Sequence, residues 1–172
     1  IWLHGVPYDT YARPPRTSEG CVVLANQDLR TLSNYLQVGL TPVIISNEIE
    51  WLSMDDWQNE RSALNNAIES WRQDWESRDV DRYLAHYARS FRSDTQNLTQ
   101  WKARKQQVTG NKAWIKVDVD RISMLRSPAS DGAVEVIFEQ RFRSDTYSDT
   151  SRKRQYWIKE DGQWRIAYEG GA

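Results

Sequence analysis

The sequence predicts an α+β fold in which helices come first and a curved antiparallel sheet follows. Three observations predict it. Leu64, Ile68, Trp71 and Trp75 recur at helical spacing. From Ile115 onward the period changes to two, with Ile115, Val117 and Val119 alternating, then Val134, Val136, Phe138, Gln140 and Phe142. Asp161-Gly162, set between Tyr156/Ile158 and Trp164/Ile166/Tyr168, is the dipeptide that closes a two-residue hairpin. Helices packed on one face of such a meander form an α+β architecture.

In chain order, Ile1-Trp2-Leu3 reads as the end of a buried strand running into His4-Gly5. Pro7, Pro14 and Pro15, with Asp9, Arg13 and Arg16 among them, make residues 6–20 a loop. Cys21-Val22-Val23-Leu24 is a short apolar run. Asn26 offers a helix N-cap, Leu29, Leu32 and Leu36 a helical stripe, and Gly39 a C-cap glycine. Thr41-Pro42-Val43-Ile44-Ile45 reads as a closing strand. The boundaries that follow are a first block over 1–46, a polar linker over 47–59 with Trp51 and Trp57 as docking points, and a second domain over 60–172. In the second domain, Asp79-Val80-Asp81 restarts a helix carrying Tyr83, Leu84, His86 and Tyr87. Leu98, Trp101 and Val108 mark a third helix.

The chain has 172 residues, 39% hydrophobic and 27% charged, with a net charge of −1. That is globular composition without the basic excess that draws nucleic acid or anionic membranes. Nine Trp and eight Tyr fill cores, and their polar tips also suit cavities for polar ligands. No metal-ligand spacing is visible, and no cofactor is expected.

Chemistry concentrates near the N-terminus. His4 and the only cysteine, Cys21, lie 17 positions apart. A lone cysteine forms no internal disulfide. Beside a loop glycine, with a histidine to take its proton, it is a candidate nucleophile. The backbone N–H groups of Gly20 and Cys21 could hold an oxyanion. The competing reading of Cys21 is a small buried hydrophobe.

His4-Gly5, Ser18-Glu19-Gly20-Cys21, Asn26 and the Thr41–Ile45 run together resemble the C-terminal part of the L,D-transpeptidase (YkuD-like) catalytic domain. The resemblance implies a two-step acyl transfer on peptidoglycan stem peptides. Cys21 would be the nucleophile and His4 the base. Gly20 would belong to the oxyanion hole, and Ser18 would shape that hole or orient the ring. Arg16, Gly5 and Asn26 would contact substrate. Glu19 and Val23 stand where many members carry His and a polar residue, so carboxylate recognition does not carry over. The family's domain is longer than 46 residues, and the chain opens on Ile1, three residues before His4. It therefore reads as a piece cut through a catalytic domain.

Residues 60–172 resemble the NTF2-like (SnoaL-like) fold, a cone of curved sheet wrapped by helices. The specific likeness is to the domain that follows the catalytic domain in certain proteobacterial L,D-transpeptidases and in the helical-cell-shape L,D-carboxypeptidase. Trp71-Arg72-Gln73-Asp74-Trp75, Asp79–Leu84, Tyr87, Phe91, Trp101, Phe138–Asp145, Lys153, Trp164 and Tyr168-Glu169 carry it. Gln140, Arg143 and Tyr156 are candidates to line the cone's mouth, although alternation assigns Arg141 and Arg143 to the solvent face.

The resemblance implies an envelope enzyme of the periplasm of a Gram-negative bacterium. Its partner would be the stem peptides, with a homodimer formed through the second domain. The alternative is a non-catalytic NTF2-like module for ligand binding or dimerisation.

Overall fold

Two compact units make up the chain, Ile1–Ile45 and Ser46–Ala172. The computed structural model describes residues 1–38, 41, 43–47, 51–126 and 132–172.

In the first unit, β1 (Leu3–His4) pairs in parallel with β2 (Val22–Val23), and α1 (Asn26–Ser33) follows. Ile1 and Trp2 are exposed rather than buried strand residues, because β1 is only two residues long. The cap of α1 also differs from expectation. Ala25 is the N-cap, with no side-chain cap bond, and Asn26 is the first helical residue. The helix ends at Asn34; Gly39, read as its C-cap, lies outside the described residues, as does Pro42. Val43, Ile44 and Ile45 are exposed and lie outside the sheet, so this part of the expected strand does not form. No partner strand reaches them among the described residues, and a strand without a partner leaves its backbone groups to water. None of the described residues of this unit is buried.

The second unit follows the predicted order. Helix α2 (Met54–Ser77) begins inside the stretch read as linker, because Ser53 caps it by accepting a bond from Asp56 N at 3.0 Å. Arg78, left-handed at φ 64°, ends it. Asp79 then caps α3 (Val80–Leu84), which is shorter than predicted. Tyr87, assigned to this helix from its spacing, instead opens β3 (Tyr87–Ser93), which pairs in parallel with the last strand. A sheet edge outweighs local helical spacing. Helix α4 (Leu98–Gly110) starts on a reciprocal capping box between Asn97 and Gln100.

Strands β4 (Ile115–Arg126), β5 (Val134–Ser144), β6 (Ser148–Glu160) and β7 (Gln163–Gly171) complete a five-stranded sheet in the order β3-β7-β6-β5-β4. Asp161 and Gly162, both at positive φ, form the anticipated hairpin turn. Helix α2 lays Trp71 and Trp75 against Phe138 and Phe142, with ring centroids 6.0 and 5.3 Å apart. Trp71, Val117, Val136, Trp157 and Ile166 are fully buried between the layers.

Two bulges decide which side chains face the helices. One extra residue near Arg121 (φ 54°) separates the pairs Asp120↔Glu139 and Ser123↔Ile137, and it switches β4 from odd to even inward residues. Another, on β7, separates Trp157↔Ile166 from Tyr156↔Tyr168. Trp164 and Ile166 face inward before it and Glu169 after it. Simple alternation would have put Tyr168 inside and Glu169 outside.

Candidate functional site

The two-stranded ladder sets His4 beside the strand that Cys21 leads into. Leu3 pairs with Val22 and His4 with Val23, and Val22 N donates to Trp2 O at 2.9 Å. Residues two apart on neighbouring strands share a face, so Cys21 and His4 stand on one side, a diagonal step apart. Both are half-buried, and Cys21 is a free thiol.

The His4 ring is oriented by its own loop. Nδ1 lies 2.7 Å from Gly5 O. A carbonyl only accepts, so Nδ1 carries the proton and Nε2 presents its lone pair. This is the tautomer a base needs.

Gly20 sits at φ 94° with open space where a Cβ would be. Its glycine is required by backbone conformation, not by a close approach. Ser18 Oγ donates to Cys21 O at 2.7 Å and closes the turn leading into the cysteine. That hydroxyl shapes the Gly20-Cys21 backbone and is engaged there rather than at the His4 ring. Arg16 is exposed in a turn at φ 59°, whereas Gly5 and Asn26 meet directly. Both ends of the Asn26 amide are engaged within this unit. Val6 N donates to Oδ1 at 2.9 Å, and Nδ2 donates to Asp9 Oδ1 at 2.8 Å.

The second unit holds a polar cluster on the helix-facing side of its sheet. Glu169 is 6% exposed. It accepts from Tyr87 OH at 3.0 Å and from Gln155 Nε2 at 2.9 Å. Trp157 Nε1 donates to Gln155 Oε1, and Trp71 Nε1 to the Tyr87 hydroxyl. Tyr83 and Tyr87 share a short hydroxyl–hydroxyl contact. Burial first, then the Glu169 charge, push both phenols well above their ordinary value.

Beside them, Lys105 Nζ lies 4.5 Å from the Trp101 ring centroid, 4.6 Å from Trp75 and 5.3 Å from Tyr83. Burial lowers its ammonium to about 8; Glu169 counters, while Arg104 and Lys153 add to the fall. On the same face, Gln140 and Ser151 are register partners, and Gln140 Oε1 and Ser151 Oγ are buried without a hydrogen-bond partner among the described residues. Neighbouring unsatisfied polar atoms are what a polar ligand or ordered water would satisfy.

The three residues expected at the cone's mouth are split by alternation. Gln140 faces the helices. Arg143 and Tyr156 face the other way: Arg143 pairs with Asp118 at 2.9 Å, and the Tyr156 hydroxyl donates to Glu135 at 3.2 Å. They do not line one pocket. Arg143 instead borders an open groove of about 550 Å³ with Asp118, Arg141 and Asp149. Its arginines are neutralised by Asp118 and Asp120. His86 is half-buried after α3, with Nε2 2.7 Å from Asp74. Lys105 and Glu169 were not singled out as site residues from sequence. The i, i+4 spacing of Trp101 and Lys105 was the one local signal, whereas Glu169 depends on the bulge.

Comparison with known proteins divides the chain in the same way. Residues 1–45 match the L,D-transpeptidase catalytic domain family, and residues 63–170 match the family described as Cds6 C-terminal NTF2-like domain. Bd1075 of Bdellovibrio bacteriovorus is 28% identical with a TM-score of 0.80, over 99% of this chain and 60% of that one. The helical cell shape determining protein Pgp2 from Campylobacter jejuni is 21% identical with a TM-score of 0.73, over 97% and 59%. An NTF2-like protein of unknown function from Pseudomonas putida shares the second fold alone, at 18% identity and a TM-score of 0.54, over 66% and 85%. The chain thus spans about three-fifths of the two longer structures. No curated protein matches it.

Proposed function

We propose a function from one premise: the chain belongs to the family of the Cds6 C-terminal NTF2-like domain, and the segment before that domain matches an L,D-transpeptidase catalytic domain. On this reading it is part of a periplasmic peptidoglycan L,D-transpeptidase or L,D-carboxypeptidase. The observation that carries the reading is the 2.7 Å contact of His4 Nδ1 with Gly5 O, beside a ladder register that puts His4 on the face of Cys21. It leaves Nε2 as the ring nitrogen to act as base.

The chemistry follows from those atoms. His4 Nε2 takes the thiol proton, and the thiolate attacks the carbonyl carbon of the stem peptide's penultimate residue. The N–H groups of Gly20 and Cys21 receive the oxyanion. On collapse the C–N bond breaks, and the imidazolium returns its proton to the departing amine of the terminal D-Ala. A thioester on Cys21 remains. His4 then deprotonates an acceptor amine or water, which attacks the thioester and restores the thiol. An amine acceptor gives a crosslink and water gives trimming. The inner face of the second unit supports a binding role. Lys105 and Lys153 offer cations, and Gln140 and Ser151 unsatisfied polar atoms, to a carboxylate-bearing peptide.

A second reading, a non-catalytic binding module, is favoured by the absence of any buried residue among the described part of 1–45. A segment of this size without buried residues gains little from its own packing. The test is acylation of Cys21 by a carbapenem, read by intact mass. It is run on this chain and on a longer one that includes the residues its relatives carry beyond the match. An adduct lost in both Cys21→Ala and His4→Ala supports the enzyme. Absence of an adduct from the longer chain, with its fold intact by circular dichroism, overturns it in favour of the module.

A further inference from the structure

The Gly5–Val6 peptide is gripped from both sides. Its carbonyl accepts from His4 Nδ1 at 2.7 Å, and its N–H donates to Asn26 Oδ1 at 2.9 Å. Asn26 is in turn held through Nδ2 by Asp9 Oδ1 at 2.8 Å, and Asp9 Oδ2 accepts from Arg30 at 3.2 Å. The Gly5 Cα leaves no room for a side chain: a Cβ there would stand 2.1 Å from Asn26 Oδ1. Asn26 and Arg30 both lie on α1, so the helix supplies two fixed points four residues apart, one turn along one face. Asp9, although in the loop, is drawn onto them. The Asn26 amide, then the Arg30 guanidinium, hold its carboxyl below the ordinary carboxylate range.

We infer that Asn26 is a positioning residue for His4. With Asp9 and Arg30 it fixes the peptide plane whose carbonyl selects the Nδ1–H tautomer and aims Nε2 at Cys21. This rests on the Cys21–His4 reading above. It replaces the substrate contact expected of Asn26 with a role one peptide removed from the ring. An amide suits the place because it accepts from one neighbour and donates to the other, whereas a carboxylate would oppose Asp9 and an alanine would free the peptide to rotate. At metal sites, groups that orient a histidine through its second nitrogen change affinity or activity about 10–100-fold when removed, and the lower end is the scale for a residue one peptide further from the ring.

The experiment uses the full chain and two readouts. One is the ¹⁵N imidazole spectrum, in which His4 is told from His86 by His4→Ala. The other is the pH profile of Cys21 alkylation by iodoacetamide. In Asn26→Ala, the Nδ1–H preference of His4 is lost and alkylation at pH 7 slows about tenfold. Exchanging the pair, Asp9→Asn with Asn26→Asp, recovers both: carboxylate 26 accepts from Val6 N and from the new amide at position 9, whose oxygen accepts from Arg30. Asn26→Ala with a wild-type tautomer and profile overturns the positioning role, as does an exchanged pair that folds by circular dichroism without recovering either. A His4→Ala variant with an unchanged alkylation profile instead sinks the Cys21–His4 reading itself, so the two failures are distinct.

Discussion

Lys105→Met tests the inner face of the second unit most directly. In the folded chain the ammonium lies over three aromatic rings and titrates at about 8, against 10.5 for a free lysine. The gap corresponds to about 3 kcal/mol, at 1.36 kcal/mol for each tenfold change in proton affinity. The sign follows from linkage. Below pH 8 both folded and unfolded chains carry the proton, and the whole cost is present. Between pH 8 and 10.5 only the unfolded chain holds it, so stability rises with pH. Methionine keeps the stem and the ring contacts without the charge. Urea unfolding at pH 7 should therefore show Lys105→Met more stable than the parent by up to about 3 kcal/mol, less whatever the ring attraction returns. The advantage should shrink steadily from pH 8 to 9.5, below the range where Tyr83 and Tyr87 begin to titrate. A difference that stays constant across that interval would refute the burial of this ammonium. It would also remove the cation from the proposed ligand site.

Three further perturbations probe other parts of the chain. Gly5→Ala drives a Cβ into Asn26 Oδ1 and should break the Val6 N–Asn26 bond; faster hydrogen exchange at the Val6 amide and slower Cys21 alkylation are expected. Trp157 is fully buried with its indole N–H on Gln155, so Trp157→Ala should cost about 3–5 kcal/mol in denaturant unfolding. His86 is held below its ordinary value chiefly by burial, opposed by Asp74 and assisted by Arg165 and Arg82. A depressed base loses stability as pH falls from 6.5 through its folded value. The parent's stability should therefore decline on acidification across that window by more than that of His86→Gln, measured by thermal unfolding from pH 7.5 to 5.

Local signals account for most of the elements. The Trp71/Trp75 spacing, the restart at Asp79, the period-two runs and the Asp161-Gly162 turn act over a few residues, and the structure places helices, strands and hairpin where those signals lie, while the caps at Ser53 and Asn97 come from the structure. His4 and Cys21 stand out in the sequence by residue type and spacing, whereas the parallel ladder that gives them a common face comes from the fold. The misreadings share a different cause. Tyr87 left its helix because a distant strand, β7, offered it a partner. Val43–Ile45 had strand composition but no neighbour among the described residues. Asn26 has the right chemistry for a cap, yet its amide is recruited by Val6 and Asp9, 20 and 17 residues away.

What the sequence determined by itself is therefore most of the elements, their order, and the residues that carry the family resemblance. What only the tertiary structure decided is the facing of single side chains. The bulges on β4 and β7 each insert one residue and reverse every later position on the strand, which is how Glu169 enters the core and Tyr168 leaves it. A period-two pattern cannot announce such a shift, because the extra residue is set by cross-strand pairing and by the curvature the packed helices impose. The same holds for Lys105, whose charge enters the protein only because α2, α3 and α4 supply its three rings.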